Sequence, residues 1–302
     1  MDISLIICTR NRHQQLARCL EAVRRITFER PWELIIVDAS TDETASVARD
    51  FIKTATNVQV IYLSEPTLSK SHGLNTAIEA SRAQILAFTD DDCYPAPDFL
   101  SQVWSAFDDP TTGYIGGRIM LHDPADYPIT IYESMTPRTF PARSFVSAGC
   151  IQGANMAFRR RILVDIGGFD LLFGPGTPLV SAEEIDAVGR ASAIGWKGEY
   201  HPEVVVRHHH GRKAADVAAV WKCYAIGVGA YHVKLLLKGH QFLWFARSVY
   251  QLRWRHRNSR AWVLWELVGA AKYGYLYLTQ SLTDGWDNLK GTLRAFISYP
   301  RS

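Results

Sequence analysis

The sequence predicts an α/β fold built on a mostly parallel sheet, and three observations carry that expectation. Short apolar runs alternate with stretches of helical period through the first 93 residues, in the order β-α-β-α-β-α-β. The runs are short and apolar almost throughout, as strands covered on both faces must be. Polar clusters close them: Thr9-Arg10-Asn11-Arg12, then Asp38-Ala39-Ser40-Thr41-Asp42, then Asp90-Asp91-Asp92. Parallel strands bring such clusters to one edge, at their carboxyl ends, where open α/β sheets bind ligands.

Taken in order, the first strand is expected at residues 3–8, Ile3-Ser4-Leu5-Ile6-Ile7-Cys8. A helix follows, with Leu16, Leu20 and Val23 at helical spacing and Asn11 either as its cap or as a ligand contact. The second strand, 33–37, ends at Asp38, which either caps the helix expected over 44–54 or hydrogen-bonds a base or ribose. A third strand covers 58–63. Lys70-Ser71-His72-Gly73-Leu74-Asn75 then opens a helix reaching about residue 82, where Lys70 either meets a phosphate or stays solvated. No G-x-G-x-x-G follows the first strand, and no G-x-x-x-x-G-K-[ST] occurs anywhere. Both absences count against a dinucleotide dehydrogenase and a P-loop nucleotidase.

The fourth strand, 84–88, delivers three carboxylates to one point, just before Pro95 and Pro97 turn the chain. Strand alternation points Asp90 and Asp92 the same way and Asp91 the other. Two converging carboxylates repel unless a cation sits between them, and a hard divalent ion with oxygen ligands answers that need.

These pieces, in this order and spacing, resemble family 2 glycosyltransferases of the GT-A fold, over about residues 3–212. The resemblance rests on residues 4–12, 34–42, 70–75 and 88–92. It implies that Thr9 and Asp38 hold a nucleotide base, with Arg10, Lys70, Asn75, Asp90 and Asp91 also on the donor side. It places the family's D-x-D on Asp90 and Asp92, with Asp92 ligating Mg²⁺ or Mn²⁺, although Asp90-Asp91 also fits as an adjacent pair.

The middle of the chain adds to this. A strand is expected over 113–120. Gly153-Ala154-Asn155-Met156-Ala157-Phe158-Arg159-Arg160 and the turn Gly167-Gly168-Phe169-Asp170 look like the family's acceptor segment. Gly153, Asn155 and Trp196 are the acceptor-side candidates. The glycines alone are equally explained by tight turns. Ser181-Ala182-Glu183-Glu184-Ile185-Asp186 starts a helix, and acidic residues in a first turn are favoured by the helix dipole alone. The family's E-D-x-D implies a general base at the second position, here Glu184, with Glu183 and Asp186 as alternatives. A strand at 203–207 leads to His208-His209-His210. By the resemblance His208 or His210 is a further metal or diphosphate ligand, and Arg212 balances the leaving diphosphate.

Charge is distributed unevenly. Residues 1–210 carry 19 Lys/Arg against 26 Asp/Glu, whereas 211–302 carry 14 against 4. The last part also holds six of nine tryptophans and seven of thirteen tyrosines. We therefore expect a catalytic domain at 1–212, with a nucleotide half at 1–100 and an acceptor half at 101–212. A basic, aromatic, helical region at 213–302 follows. Its first helix is expected to bury Val217, Val220, Trp221, Tyr224, Val228 and Tyr231. Phe242 to Phe245 and five arginines between 247 and 260 come next. Peripheral membrane contact fits this composition; nucleic acid does not, since no reader motif is present.

Five scattered cysteines without a C-x-x-C pair point to a reducing compartment. The first residues do not read as a signal peptide, and the most apolar stretch, 261–282, is interrupted by Glu266 and Lys272. The expected location is cytoplasmic, with the inner membrane face as a peripheral option. The family resemblance implies a reaction that moves a sugar from a nucleoside diphosphate sugar, a UDP-sugar first, with inversion to an acceptor hydroxyl, and the basic aromatic tail points to a polysaccharide or lipid-linked glycan as acceptor. A sugar nucleotidyltransferase, which would need a Gly-rich loop after the first strand, and a non-catalytic membrane scaffold are the alternatives.

Overall fold

The computed structural model describes residues 1–56, 58–237, 243–246 and 260–297, with side chains on the last helix described over 261–280. The aromatic and basic stretch at 247–259, together with Phe242, lies outside the described residues. The first four strands are β1 (Ile3–Thr9), β2 (Trp32–Asp38), β3 (Gln59–Ser64) and β4 (Ile85–Asp90). Between them run α1 (His13–Val23), α2 (Thr44–Thr54) and α3 (Lys70–Ala80). Then come β5 (Cys93–Pro95), α4 (Phe99–Ser105), β6 (Thr112–Leu121), β7 (Arg138–Phe140), β8 (Asn155–Arg159), α5 (Arg160–Asp165), α6 (Glu183–Ala193) and β9 (Lys197–His208).

Among the described residues, the nine strands form one sheet in the order β3-β2-β1-β4-β8-β6-β9-β5, with β7 on β9. β3, β2, β1 and β4 are mutually parallel, and β6 is parallel to β9. The inserted strand β8 runs antiparallel to both β4 and β6. Alternation explains why the strands are apolar at nearly every position. Ile3, Leu5 and Ile7 join one core with Leu16, Leu20 and Phe51, while Ile6 joins the other with Leu74, Ile78 and Phe158. Each such side chain contributes roughly 1.5–3 kcal/mol by leaving water. A charge at Ile6, which is wholly buried, would break the sheet where it is covered on both sides.

This topology makes the site. Strand order reverses between β1 and β4: α1 and α2 cover one face as the chain runs from β1 to β3, whereas α3 crosses the other face to return to β4, and a crevice opens at the carboxyl ends of β1 and β4. Register puts Thr9 beside Asp38 and Cys8 beside Asp90, so three of the polar strand ends line up at that crevice.

Two capping expectations are corrected. Asn11 does not cap α1: it adopts φ 53°, and its Oδ1 accepts from the Thr41 amide, tying the loops after β1 and β2 together. Asp38 does not cap α2. Its Oδ1 turns back to the Ser40 amide and its Oδ2 accepts from the Tyr62 hydroxyl, 2.8 Å each. Both caps were misplaced because short polar side chains bond equally well to nearby loop backbone.

The chain divides into two compact units, 1–224 and 225–302. The division falls inside α7 (Val217–Leu237), twelve residues beyond the domain end expected at 212. The Ser181 hydroxyl donates to the Cys223 carbonyl, 2.9 Å, and so ties the start of α7 to the first unit.

In the second unit α7 meets α8 (Arg260–Ile297) through glycine. A Cβ at Gly229 would stand 2.0 Å from the Glu266 carbonyl, and one at Gly269 would stand 1.9 Å from that of Ile226. Backbone-to-backbone contact therefore decides the face, burying Ala225, Ile226, Ala230 and Tyr231. The expected α7 stripe is corrected accordingly: Trp221 is 42% exposed, and Val217, Val220, Tyr224 and Val228 are only half-buried. No described helix is long and apolar enough to cross a membrane.

Candidate active site

β4 stops at Asp90, and Asp91 and Asp92 form a turn before β5. Alternation therefore lapses after Asp90, and the three carboxylates separate differently from the strand expectation. Asp90 accepts from Lys70 Nζ at 2.6 Å. Asp91 accepts from the Thr9 hydroxyl at 2.7 Å and pairs with Arg12 Nη1 at 3.0 Å. Asp92 takes the other arm of the same guanidinium, Nη2, at 2.5 Å and His208 Nε2 at 3.2 Å. The convergence of Asp90 with Asp92 holds all the same. Asp90, Asp92, Cys93 and His208 each offer a ligand atom, all within 4.8 Å of one another.

Electrostatics sort these groups. Burial works to raise Asp92, but His208 and Arg12 outweigh it and hold the carboxyl well below its usual range. Asp91, beside the same arginine, is pushed up to about 7, chiefly by burial and then by its acidic neighbours. Cys93 is wholly buried among carboxylates, so its thiol is raised well above the ordinary value and stays protonated. The donor set that remains is two carboxylates and an imidazole, which suits Mg²⁺ or Mn²⁺. Sequence spacing alone had left His208 and His210 equal. The structure separates them: His210 turns its Nδ1 to Asp126, 3.7 Å away.

The second acidic cluster opens α6. Val180 and Ala182 both take positive φ, 59° and 76°, conformations that cost side-chain-bearing residues energy and that fix how the helix starts. Glu183 is buried and lies 3.7 Å from Lys70 Nζ. One lysine thus bridges the end of β4 and the start of α6, and the two carboxylates hold its amine well above its usual pKa against burial. Glu184 is half-buried and is pushed up to about 8 by desolvation and by Glu183, with Lys70 opposing. Asp186 points elsewhere and pairs with Arg190 at 2.7 Å, one turn along the same helix. A Cβ on Gly153 would lie 3.5 Å from Lys70 Nζ, so that backbone borders the same space.

Other sequence candidates take framework positions. Both ends of the Asn75 amide are spent on Phe169, donating to its carbonyl at 2.9 Å and accepting from its N–H at 2.7 Å. Asn155, on β8, is 1% exposed and donates to the Arg118 and Val204 carbonyls, tying β8 to both β6 and β9. Trp196 precedes β9, whose twelve residues end at His208. Nine steps of β6 pair with β9 between Lys197 and His208, so at 3.2–3.4 Å per step Trp196 stands ~30 Å along the sheet from the acidic site, beneath the Arg161 guanidinium. In this structure the side chains of all three are engaged within the framework. Arg10 is exposed and Arg212 half-buried.

Three residues were missed by sequence reading. Arg12 clamps Asp91 and Asp92, Tyr62 holds Asp38, and Tyr224 stands in the field of Arg212, Glu184 and Asp90. Only Arg12 had a signal, as a cation three residues beyond Thr9 in a strand-end cluster.

Comparison with known proteins agrees with this geometry. The family model described as glycosyl transferase family 2 matches residues 4–167. The glycosyltransferase AglE of Haloferax volcanii is 26% identical over 93% of this chain and 84% of its own length. The glucosyl-dolichyl phosphate glucuronosyltransferase of the same organism is 23% identical over 69% of each chain. Among solved structures, a mannosyltransferase of Pyrobaculum calidifontis in complex with GDP-Man and Mn²⁺ superposes with a TM-score of 0.61 at 20% identity. That match covers 98% of this chain and 88% of the other. With the family match spanning more than half its length, this chain belongs to glycosyl transferase family 2, and its first unit has the GT-A type of fold.

Proposed function

We propose that this chain moves a sugar from a nucleoside diphosphate sugar to an acceptor hydroxyl with inversion. The observation that carries this reading is the split between two acid groups in one crevice. Asp92 is held ionised by His208 and Arg12, while Glu184 is raised into the range of a proton acceptor near neutrality.

Asp90, Asp92 and His208 would hold Mg²⁺ or Mn²⁺, which supplies positive charge for the departing diphosphate. Lys70 and Arg212 add fixed cations on the donor side, and Asp38, oriented by Tyr62 and the Ser40 amide, faces the base or ribose. Glu184 takes the proton of the acceptor hydroxyl as its oxygen bonds to the anomeric carbon. The bond from that carbon to the diphosphate breaks, and its electron pair leaves with the phosphate oxygen. Bound next to Lys70 and a cationic donor site, Glu184 becomes more acidic and is ready to receive that proton.

The acceptor in this reading is a lipid-linked or polysaccharide glycan, and α8 supports it. Val263, Leu264, Leu267, Tyr275 and Leu278 are 51–68% exposed and lie on one helical face, opposite the buried Trp262, Glu266 and Tyr273. Such a face, in a region with fourteen Lys/Arg against four Asp/Glu, suits the inner surface of an anionic membrane.

Thermal stability against UDP, GDP, CMP and dTDP, each with and without Mn²⁺, tests the reading without a known acceptor. Binding to the native state alone raises the melting temperature. A metal-dependent shift with one nucleotide, absent in Asp92→Ala, supports the transferase and names the donor class. No shift with any of them sinks it.

A further inference from the structure

On the far side of β5 and β9 from the acidic cluster lies a hollow of about 1010 Å³, bordered by α1 and β6. Alternation generates both sites from the same two strands. Cys93 pairs with His208, and both face the metal-ligand cluster; Tyr94 pairs with Arg207, and both line the hollow. The two sites therefore stand back to back and share no side chain.

The hollow is lined by four arginines, Arg18, Arg25, Arg118 and Arg207, and by two histidines, His122 and His209. None of these arginines has a carboxylate within ion-pair distance among the described residues. Three carboxylates also line it: Glu21, which pairs with Arg24 at 3.7 Å, Asp98, which accepts from Gln102 at 3.0 Å, and Glu203, so the four guanidiniums exceed the carboxylates by one. Among the described residues Arg118 Nε is buried without a hydrogen-bond partner, a donor whose desolvation is not repaid there. The positive field is felt locally: burial, then His209 and Arg207, hold His122 below its usual value.

One wall is aromatic and fixed. Tyr94 meets His122 edge-on at 4.7 Å, His122 meets His209 at 4.7 Å, and the Tyr94 hydroxyl lies 2.8 Å from His209 Nδ1. His209 is anchored in turn by its amide, which donates to the Asp92 carbonyl at 2.8 Å. Guanidiniums in excess of carboxylates select phosphate, which they bind in bidentate fashion, and a rigid ring wall suits the apolar or sugar part joined to it.

We propose that this hollow is a second ligand site, taking a phosphate-bearing ligand separately from the nucleotide donor. It goes beyond the transferase reading, because it does not use Asp90, Asp92, His208 or Glu184. The phosphate has two sources, a soluble phosphate ester or the phosphate that joins a glycan to its carrier lipid.

The test uses the full chain without divalent metal. Pyrophosphate is titrated while the His122 ring resonances, assigned with His122→Gln, are followed by NMR. A saturable shift is expected. In the double variant Arg25→Ala/Arg207→Ala its midpoint should rise at least about tenfold, from the loss of two charge-assisted contacts. Both arginines are exposed, so the variant should keep its melting temperature and its metal-dependent nucleotide shift. A second arm measures retention on phosphatidylcholine vesicles with and without polyprenyl phosphate. Retention that needs the polyprenyl phosphate and falls in the double variant assigns the ligand to the carrier lipid; pyrophosphate binding without such retention assigns a soluble phosphate. The proposal is overturned if the His122 resonances do not move, or if they move equally in wild type and double variant.

Discussion

The molecule carries two acidic clusters of similar composition, Asp90-Asp91-Asp92 at the end of a strand and Glu183-Glu184-Asp186 at the start of a helix. Each loses one member to a framework role: Asp91 hydrogen-bonds Thr9, and Asp186 pairs with Arg190. The working members differ in what faces them. Asp92 has a guanidinium at 2.5 Å and an imidazole at 3.2 Å, and it stays ionised although buried. Glu184 has no direct ion pair among the described residues, shares Lys70's field with Glu183, and rises to about 8. Burial pushes both upward, so partners alone decide which becomes a fixed anion and which a proton acceptor. Lys70 joins the two clusters and is the residue through which they are tuned together.

The largest effect is expected at Asp92. Asp92→Asn keeps the shape but removes the charge, and kcat/KM should fall on the order of 10³-fold, with loss of the metal-dependent nucleotide shift. Glu184→Gln should lower kcat roughly 10²–10³-fold while the nucleotide shift survives, which separates proton transfer from binding. Next is Lys70→Met, which leaves Asp90 and Glu183 without their shared cation. It should lower kcat/KM about 10²-fold. It should also destabilise the fold by about 3 kcal/mol in denaturant unfolding, because the lysine side chain is 20% exposed and its loss strands buried charge.

The pH dependence sharpens the contrast further. Because the free enzyme's Glu184 titrates at about 8, kcat/KM should climb as pH rises toward that value, and Glu184→Gln should abolish that limb. Stability responds with opposite signs at the two clusters. A raised carboxyl favours the folded state while protonated, so the Glu184 contribution is full below its ordinary 4.5 and is lost as pH rises through about 8. The depressed Asp92 contributes above its ordinary 3.8, and that contribution is lost as pH falls through its lowered value. The melting temperature of Glu184→Gln should therefore fall less steeply than wild type between pH 5 and 8. The smallest catalytic effect is expected at Trp196→Ala, with kcat and KM unchanged within about twofold, since the ring sits at the other end of β9.

Much of the fold was legible because parallel strands buried on both faces leave a simple signature. The runs at Ile3, Leu34 and Ile85 needed only hydrophobicity and alternation to place, and the crevice followed from where they stop. Asp90 and Asp92 could be brought together because they are neighbours in sequence. Arg12 could not be assigned to them, since its partners lie 80 residues away and depend on β1 and β4 being adjacent. The framework bonds of Asn75 and Asn155 were illegible for a different reason. An amide that completes backbone hydrogen bonds looks, in sequence, like one that waits for a ligand. Trp196 could be located only once β9 was known to run parallel to β6 and to carry His208 at its far end. On α7, larger side chains suggested one face, but the close backbone contacts at Gly229 and Gly269 selected another.

The most direct test of the central claim is Mn²⁺ binding by electron paramagnetic resonance in the presence of the nucleoside diphosphate that gives the largest thermal shift. If Asp90, Asp92 and His208 form the metal site, the free Mn²⁺ signal will be depleted by wild type and not by Asp92→Asn. Pulsed spectra will then show a nitrogen coupling that disappears in His208→Gln. Depletion that is unchanged in Asp92→Asn would contradict the account, because the cluster at the end of β4 would then not be the seat of the cation.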